Sequence, residues 1–144
     1  MSLPAKRAVV LTLAVSAAYV GVWAAAFPAS FYTDFPFPGR HWVATLGPYN
    51  EHLTRDVGAL YLALFVLSLY AWRRPSETTL RMAGSAWLVF NAWHFLWHAL
   101  HLGMFPMIDK IGNVVSLGAV LVLSGLLLAG PSRFARSRRR SSVN

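Results

Sequence analysis

Four long apolar segments run along the chain, separated by short stretches rich in polar residues, proline or glycine. They cover residues 8–27, 57–72, 82–102 and 111–130. Three of them match the roughly 20 residues that a helix needs to cross a bilayer, and the segment 57–72 is slightly shorter. This pattern predicts an all-α fold: one integral membrane four-helix bundle that occupies residues 1–131.

The third apolar segment carries a polar stripe that interrupts its hydrophobic character. Asn91, His94, His98 and His101 recur at spacings of three, four and three residues. At about 100° per residue, their side chains fall within an arc of roughly 80° on one helical face. Ionisable residues inside a spanning helix indicate a functional site by default. The structural alternative is a polar seam that hydrogen-bonds neighbouring helices and fixes their packing.

An aromatic and proline-rich segment, residues 28–47, separates the first two apolar segments. Pro36 and Pro38 are incompatible with a regular helix at that point. Phe, Tyr and Trp at this density are typical of a membrane–water interface. The segment is therefore predicted to form an ordered cap over the outer ends of the helices.

Composition and charge support a membrane protein and predict its orientation. Of 144 residues, 56% are hydrophobic and only 12% charged, against about 25% charged in soluble domains. Placing both termini and the turn 73–81 in the cytoplasm leaves ten of the 13 basic residues inside, as the positive-inside rule requires. The chain is thus expected to be a multi-pass cell-membrane protein, of bacterial type, with cytoplasmic N and C termini.

The ends of the chain carry further expectations. Residues 132–144 are rich in Arg and Ser and are predicted to form a disordered basic tail that binds anionic lipid headgroups. The net charge of +8 comes without any base-reading motif, so nucleic acid is not an expected partner. Lys6-Arg7 followed by an apolar core and Ala24-Ala25-Ala26 also resembles a cleaved signal peptide, which is the alternative to a retained first span.

A metal or haem site is the first hypothesis for the polar stripe. The chain has no cysteine, so imidazoles and carboxylates would have to supply the ligands. The candidate metal ligands are His52, His94, His98 and His101. A carboxylate from Glu51 or Asp56 would complete a zinc or iron site. Met104 and Met107 as ligands would instead favour copper. A bis-His haem would need His41 or His52 opposite the stripe. The corresponding function is redox chemistry or ligand binding.

Two further hypotheses need no metal. Asp56, Glu51 and His98 could perform acid–base chemistry on a lipid, a sterol or a quinone. The cavity for this apolar ligand would be lined by the following residues: Trp87, Asn91, Trp97, Asn113 and Ser116. Alternatively, the chain is a non-enzymatic accessory subunit, working as a homo-oligomer or inside a larger membrane complex.

Counting residues from the inner boundary predicts how these side chains are layered. Asp56, His98 and Ser116 each lie about 25 Å above it, at 1.5 Å rise per residue. His52, His101 and Asn113 are expected one turn further out, and Asn91 and His94 form the floor. Because an unpaired carboxylate is costly in this environment, the layering predicts an Asp56–His98 contact or a shared ion in a closed pocket.

The stretch from Arg55 to Leu62 resembles the entry to the second helix of DoxX-like bacterial inner-membrane proteins. The resemblance covers the four short spans and the motif Arg55-x-x-Gly58. It implies a four-helix bundle associated with membrane redox or quinone-linked systems. The histidine stripe is not part of this resemblance, which assigns no role to those residues.

Overall fold

The computed structural model describes residues 1–130, and within them the chain is all-helical, without a β-strand. Four long helices and one short helix are joined by loops that contain 3₁₀ turns at Ala44–Leu46 and Leu102–Met104. The α-helices are α1 (Leu3–Ala26), α2 (Pro28–Asp34), α3 (Glu51–Arg73), α4 (Glu77–Leu100) and α5 (Met107–Leu128). The all-α prediction is confirmed, whereas the predicted tail 132–144 lies outside the described residues.

Local sequence signals set the helix boundaries. Asn50 caps α3 by accepting a hydrogen bond from the Leu53 N–H at 3.1 Å. Ser76 and Thr79 form a reciprocal capping box at the start of α4. Because these caps precede the apolar runs, α3 and α4 begin five to six residues earlier than the hydrophobic segments alone indicate.

Three helices, α1, α3 and α5, are long and apolar enough to cross a membrane. α4 has the same length as α1, 24 residues, but does not belong to this group. Its polar first turns and its Asn/His stripe lower its average hydropathy. The outward-facing apolar side chains suit lipid: Val15, Val66 and Val122 are each more than 60% exposed.

Close packing pairs α1 with α3 and α4 with α5. A Cβ atom on Gly58 of α3 would lie 2.8 Å from Cα of Ala25 in α1, and one on Gly84 of α4 would lie 2.7 Å from Cβ of Leu127 in α5. Only glycine allows such close approach of two helices. The Arg55 guanidinium also donates to the Ala25 carbonyl, so the Arg55-x-x-Gly58 motif holds the end of α1.

The half of the bundle that contains the start of α1 and the end of α5 has an apolar core, with an ion pair at its edge. Val10, Leu13, Leu80 and Leu127 are fully buried there. Lys6 is also fully buried, and its ammonium group donates to both Glu77 oxygens at 2.8 and 3.1 Å. This pair joins the first turns of α1 and α4.

We expect Gly58→Ala to destabilise the fold by about 1–3 kcal/mol, because its methyl group would collide with the backbone of α1. Gly125→Ala on α5 is the matched control, since a Cβ there meets no atom within 4 Å. It should leave stability unchanged or raise it by up to about 1 kcal/mol. Thermal unfolding in detergent, followed by circular dichroism, measures both; equal melting temperatures for the two variants would contradict the close α1–α3 contact.

Candidate functional site

A cavity of about 450 Å³ lies among α1, α3, α4 and α5, at the end of the bundle where α3 begins and α4 ends. Its volume is in the range of small-molecule sites. Apolar and aromatic side chains dominate its wall, with Val20, Phe31, Phe35, Tyr61, Trp87 and Val120 among them. The wall of the cavity therefore suits an apolar ligand.

The polar side chains of the cavity come chiefly from α4 and α5. Asn91, His94 and His98 line it from α4, and Asn113 and Ser116 line it from α5. On α4 the four- and three-residue spacings keep Trp87, Asn91 and His98 on the buried face. Five polar residues named from the sequence thus meet in one cavity, together with Trp87.

The floor of the cavity is closed by hydrogen bonds between helices. The Trp87 indole donates to Ser68 Oγ of α3 at 2.8 Å, and the Asn91 amide donates to Ser124 Oγ of α5 at 2.9 Å. Tyr61 packs edge-on against Trp87, with ring centroids 6.1 Å apart. Below this layer lies the apolar core, so the cavity is a pocket that does not continue through the bundle.

The segment between α1 and α3, residues 27–50, which we call the cap, forms the roof. The Tyr32 hydroxyl donates to the Gly47 carbonyl at 2.9 Å within it. The Arg40 guanidinium donates to Asp109 at 3.0 Å and ties the cap to the start of α5. The Trp42 ring fills a notch at Gly112, where a Cβ would lie 2.7 Å from Cζ2.

Three side chains on the wall carry a buried polar atom that forms no hydrogen bond of ordinary geometry, although the His98 ring and the Asn113 amide are close enough to interact with each other. In the described chain these atoms are Trp42 Nε1, His98 Nδ1 and Asn113 Oδ1, and all three residues line the cavity. They are neighbours, because Trp42 packs on Gly112, next to Asn113, and His98 lies beside Asn113. Buried polar groups are normally hydrogen-bonded, so a cluster of unpartnered groups indicates a missing partner.

The histidines of the stripe have different surroundings. His94 and His98 face each other with ring centroids 4.6 Å apart, and His94 stacks on Phe90 at 5.2 Å. His101 instead stacks on Trp97 at 4.0 Å, and its Nδ1 lies 2.7 Å from the Trp97 carbonyl oxygen. His101 and Trp97 therefore do not line the cavity.

The expected Asp56–His98 contact is absent, and this prediction is wrong. The Asp56 side chain is 59% exposed and lies 3.4 Å from His52 on the outer surface of α3. Glu51 likewise pairs with Arg55 at 2.8 Å. The buried face of α3 follows Thr54, Gly58 and Tyr61; a residue two positions from Thr54 is rotated by about 200° and points away from it.

The expected metal site also lacks its ligand set. Within residues 1–130 no group of three or more His, Cys, Asp or Glu side chains is placed to hold an ion. His94 and His98 come together, but His52, Glu51 and Asp56 face outward and His101 is stacked on Trp97. Two imidazoles are fewer than the three protein ligands of a usual catalytic zinc site.

Comparison with known proteins gives no relative for this chain. No family model, no curated protein and no solved structure matches it. The likeness to DoxX-like proteins therefore stays at the level of the Arg55-x-x-Gly58 motif, whose two residues both contact Ala25 here.

Sequence reasoning missed the part that Trp42 and Tyr61 play in the site. In the sequence Trp42 is one of several aromatic residues in the segment 28–47, and Tyr61 lies inside an apolar run. Gly112, near the start of the last apolar segment, is a sequence signal that a bulky side chain could pack there. The sequence does not show which side chain that is.

We expect Arg40→Gln to destabilise the protein by about 2 kcal/mol, because it leaves the buried Asp109 carboxylate without its charged donor. Lys110→Gln is the control: it removes the same charge one residue from Asp109, and Lys110 forms no ion pair within the described chain. Exchanging the charges, Arg40→Asp with Asp109→Arg, should restore part of the loss. Unfolding in detergent measures all variants; equal stability of Arg40→Gln and Lys110→Gln would show that the pair does not hold the cap.

Proposed function

We propose that this chain is a four-span cell-membrane protein that binds an apolar ligand bearing a hydroxyl group in the cavity under the cap. The observation that carries the proposal is the group of three neighbouring residues, Trp42, His98 and Asn113, each with a buried polar atom that forms no ordinary hydrogen bond, in the wall of a largely apolar cavity. Both termini are cytoplasmic in this proposal, so the cavity belongs to the outer half of the membrane.

The inward position of the polar stripe supports a membrane location for α4 as well. Asn91 and His98 are only 4% and 8% exposed, whereas Val89 and Trp93 on the opposite face are 66% and 73% exposed. A helix with this distribution presents apolar side chains to lipid and keeps its polar groups inside the bundle. The uneven distribution of Lys and Arg supports the proposed orientation.

The hydrogen-bonding chemistry of the cluster favours a hydroxyl over other ligand groups. Trp42 Nε1 can only donate, Asn113 Oδ1 can only accept, and His98 Nδ1 does one or the other according to its tautomer. A ligand group that satisfies Trp42 and Asn113 together must both accept and donate. A hydroxyl does this after small side-chain rotations, whereas a carbonyl or an ether only accepts. Long-chain alcohols, phenols and sterols all meet this requirement.

A water molecule could satisfy the same three atoms, and it is the alternative occupant. One water needs only about 30 Å³, however, and the remaining apolar space of a cavity of about 450 Å³ would be left unfilled. An amphiphile with one hydroxyl matches both the polar cluster and the apolar wall.

Ligand binding without catalysis is the function that the geometry favours. Acid–base chemistry between Asp56 and His98 is not supported, because Asp56 lies outside the cavity. His98 is left as a hydrogen-bonding group whose nearest polar neighbours are Asn113 and His94.

The cluster can be tested with Trp42→Phe, which removes the indole N–H together with part of the ring that packs in the Gly112 notch. We expect the affinity for dodecylphenol, in nanodiscs of phosphatidylcholine, to fall by about two- to tenfold, as for loss of one hydrogen bond. Trp72→Phe is the control, because Trp72 lies at the opposite end of α3 and lines neither this cavity nor the surface between α3 and α4. Displacement of a radiolabelled probe measures the affinity.

The same wild-type preparation gives a direct test of the proposal. Organic extraction of the purified protein followed by mass spectrometry should recover a hydroxyl-bearing apolar compound in near-stoichiometric amount. An empty protein that also fails to bind the phenol would show that water occupies the cavity and would refute the proposal.

We expect a reporter fused after Asn144 to be cytoplasmic and an epitope tag inserted within residues 36–40 to be accessible from outside intact cells. Both follow from four spans with basic residues kept inside. A tag between α4 and α5, after Gly103, serves as the second external position. A mature N-terminus at Phe27, or a cytoplasmic tag at residue 103, would contradict this topology.

A further inference from the structure

We infer that the ligand carries a long flexible chain, which leaves the cavity sideways between α3 and α4 past His94 and lies in a groove on the membrane-facing surface. The inference rests on the proposed function and adds the class of ligand: a chain-bearing alcohol or phenol, not a compact fused-ring molecule such as a sterol.

A second cavity provides the groove. It is an open depression of about 560 Å³ between α3 and α4. Leu60 and Leu64 line it from α3, and Val89, Phe90 and Trp93 line it from α4. Apart from His94 at its end, its wall is apolar or aromatic, which suits a hydrocarbon chain.

His94 lies at the boundary between the groove and the cavity, since it lines both. Its ring stacks on Phe90 at 5.2 Å with an interplanar angle of 17°, so the two rings form a thin partition. On the α3 side, Leu53 and Val57 line the cavity and are nevertheless 59% and 39% exposed. The cavity is therefore open towards the outer surface of the α3–α4 seam.

The α3–α4 seam is also looser than the contacts of α1 with α3 and of α4 with α5. Glycines bring α1 against α3 at Gly58 and α4 against α5 at Gly84. No glycine forms such a contact between α3 and α4 within residues 1–130. These two helices are instead separated by the bulky rings of Tyr61 and Phe90, at 5.2 Å, and by the Trp87–Ser68 hydrogen bond below them.

The roof and the floor of the cavity are less suited to a chain. The cap closes the roof through Arg40–Asp109 and the Trp42–Gly112 contact. The floor is closed by the Trp87–Ser68 and Asn91–Ser124 hydrogen bonds. A ligand whose hydroxyl lies at the polar cluster thus has its apolar end directed towards His94 and the groove.

The direct test uses para-dodecylphenol with a photoreactive diazirine at the end of its chain, bound to the full-length protein in phosphatidylcholine nanodiscs. Mass spectrometry then maps the residues that are labelled. An excess of unlabelled dodecylphenol identifies specific labelling, since contacts through bulk lipid are not displaced. Displaceable labels are expected on Leu60, Leu64, Val89 and Trp93.

Val89→Trp provides the second measurement, because it fills the groove without touching the cavity. Displaceable labelling by the dodecyl probe should fall by about fivefold or more, the effect of roughly 1 kcal/mol of steric conflict. Binding of para-methylphenol, which has no chain, should not change. Val66→Trp is the matched control: Val66 is 65% exposed, against 66% for Val89, and lines neither cavity.

The outcomes separate the inference from the proposed function. Displaceable labels confined to the cavity wall, or on the α1–α5 side, would overturn the chain path and leave ligand binding intact. Equal effects of Val89→Trp and Val66→Trp would overturn it as well. Absence of any displaceable labelling, with no binding of methylphenol, would overturn both.

Discussion

The need to satisfy the polar groups of α4 inside the bundle is the constraint on which the rest of the structure depends. Unpaired amide and imidazole groups in contact with hydrocarbon would be costly. α4 therefore turns Asn91 and His98 inward and its apolar residues Val89 and Trp93 outward. Ser124 of α5 satisfies Asn91, and Ser68 of α3 receives the Trp87 N–H. These partners fix the rotation of α4 against both neighbours.

The same constraint explains why the bundle is dense at one end and hollow at the other. Near the termini, small and branched apolar residues fill the interior, and Lys6 is neutralised by Glu77. Towards the cap the facing positions are Asn113, Ser116 and Thr54, whose side chains are too small to meet in the middle. Asn113, Ser116 and Thr54 each donate a hydrogen bond to a carbonyl of the preceding turn, so these donors need no partner across the space. The cavity is the volume that these residues leave unfilled.

The cap turns this space into a site. A loop without tertiary contacts would leave the upper end open to water, which would solvate the polar cluster. Here Arg40 is joined to Asp109 and Trp42 occupies the Gly112 notch, so the roof is anchored on α5. The Trp42 indole N–H, a hydrogen-bond donor, therefore comes to the wall from the cap and not from the four long helices. In the proposed function, the apolar side chains of the wall bind the apolar part of the ligand. The polar cluster then orients the ligand's hydroxyl group.

What the sequence by itself determined is the order of the four long helices and the buried polar face of α4. The apolar runs, the Asn50 and Ser76 caps and the prolines after α1 predict helix order well, because these signals act within a few residues. The stripe on α4 is equally local, and five of the stripe and α5 residues predicted from the sequence do line the cavity: Asn91, His94, His98, Asn113 and Ser116. Only the tertiary structure decided which way α3 faces. The height of a residue along a helix follows from residue counting. The rotation of α3 about its axis depends instead on Gly58, where α1 approaches closely. That contact places Asp56 and His52 on the outer surface of α3. The unpartnered Trp42, His98 and Asn113 are likewise beyond the reach of sequence patterns, since they lie far apart in the chain and meet only when the cap folds onto α5.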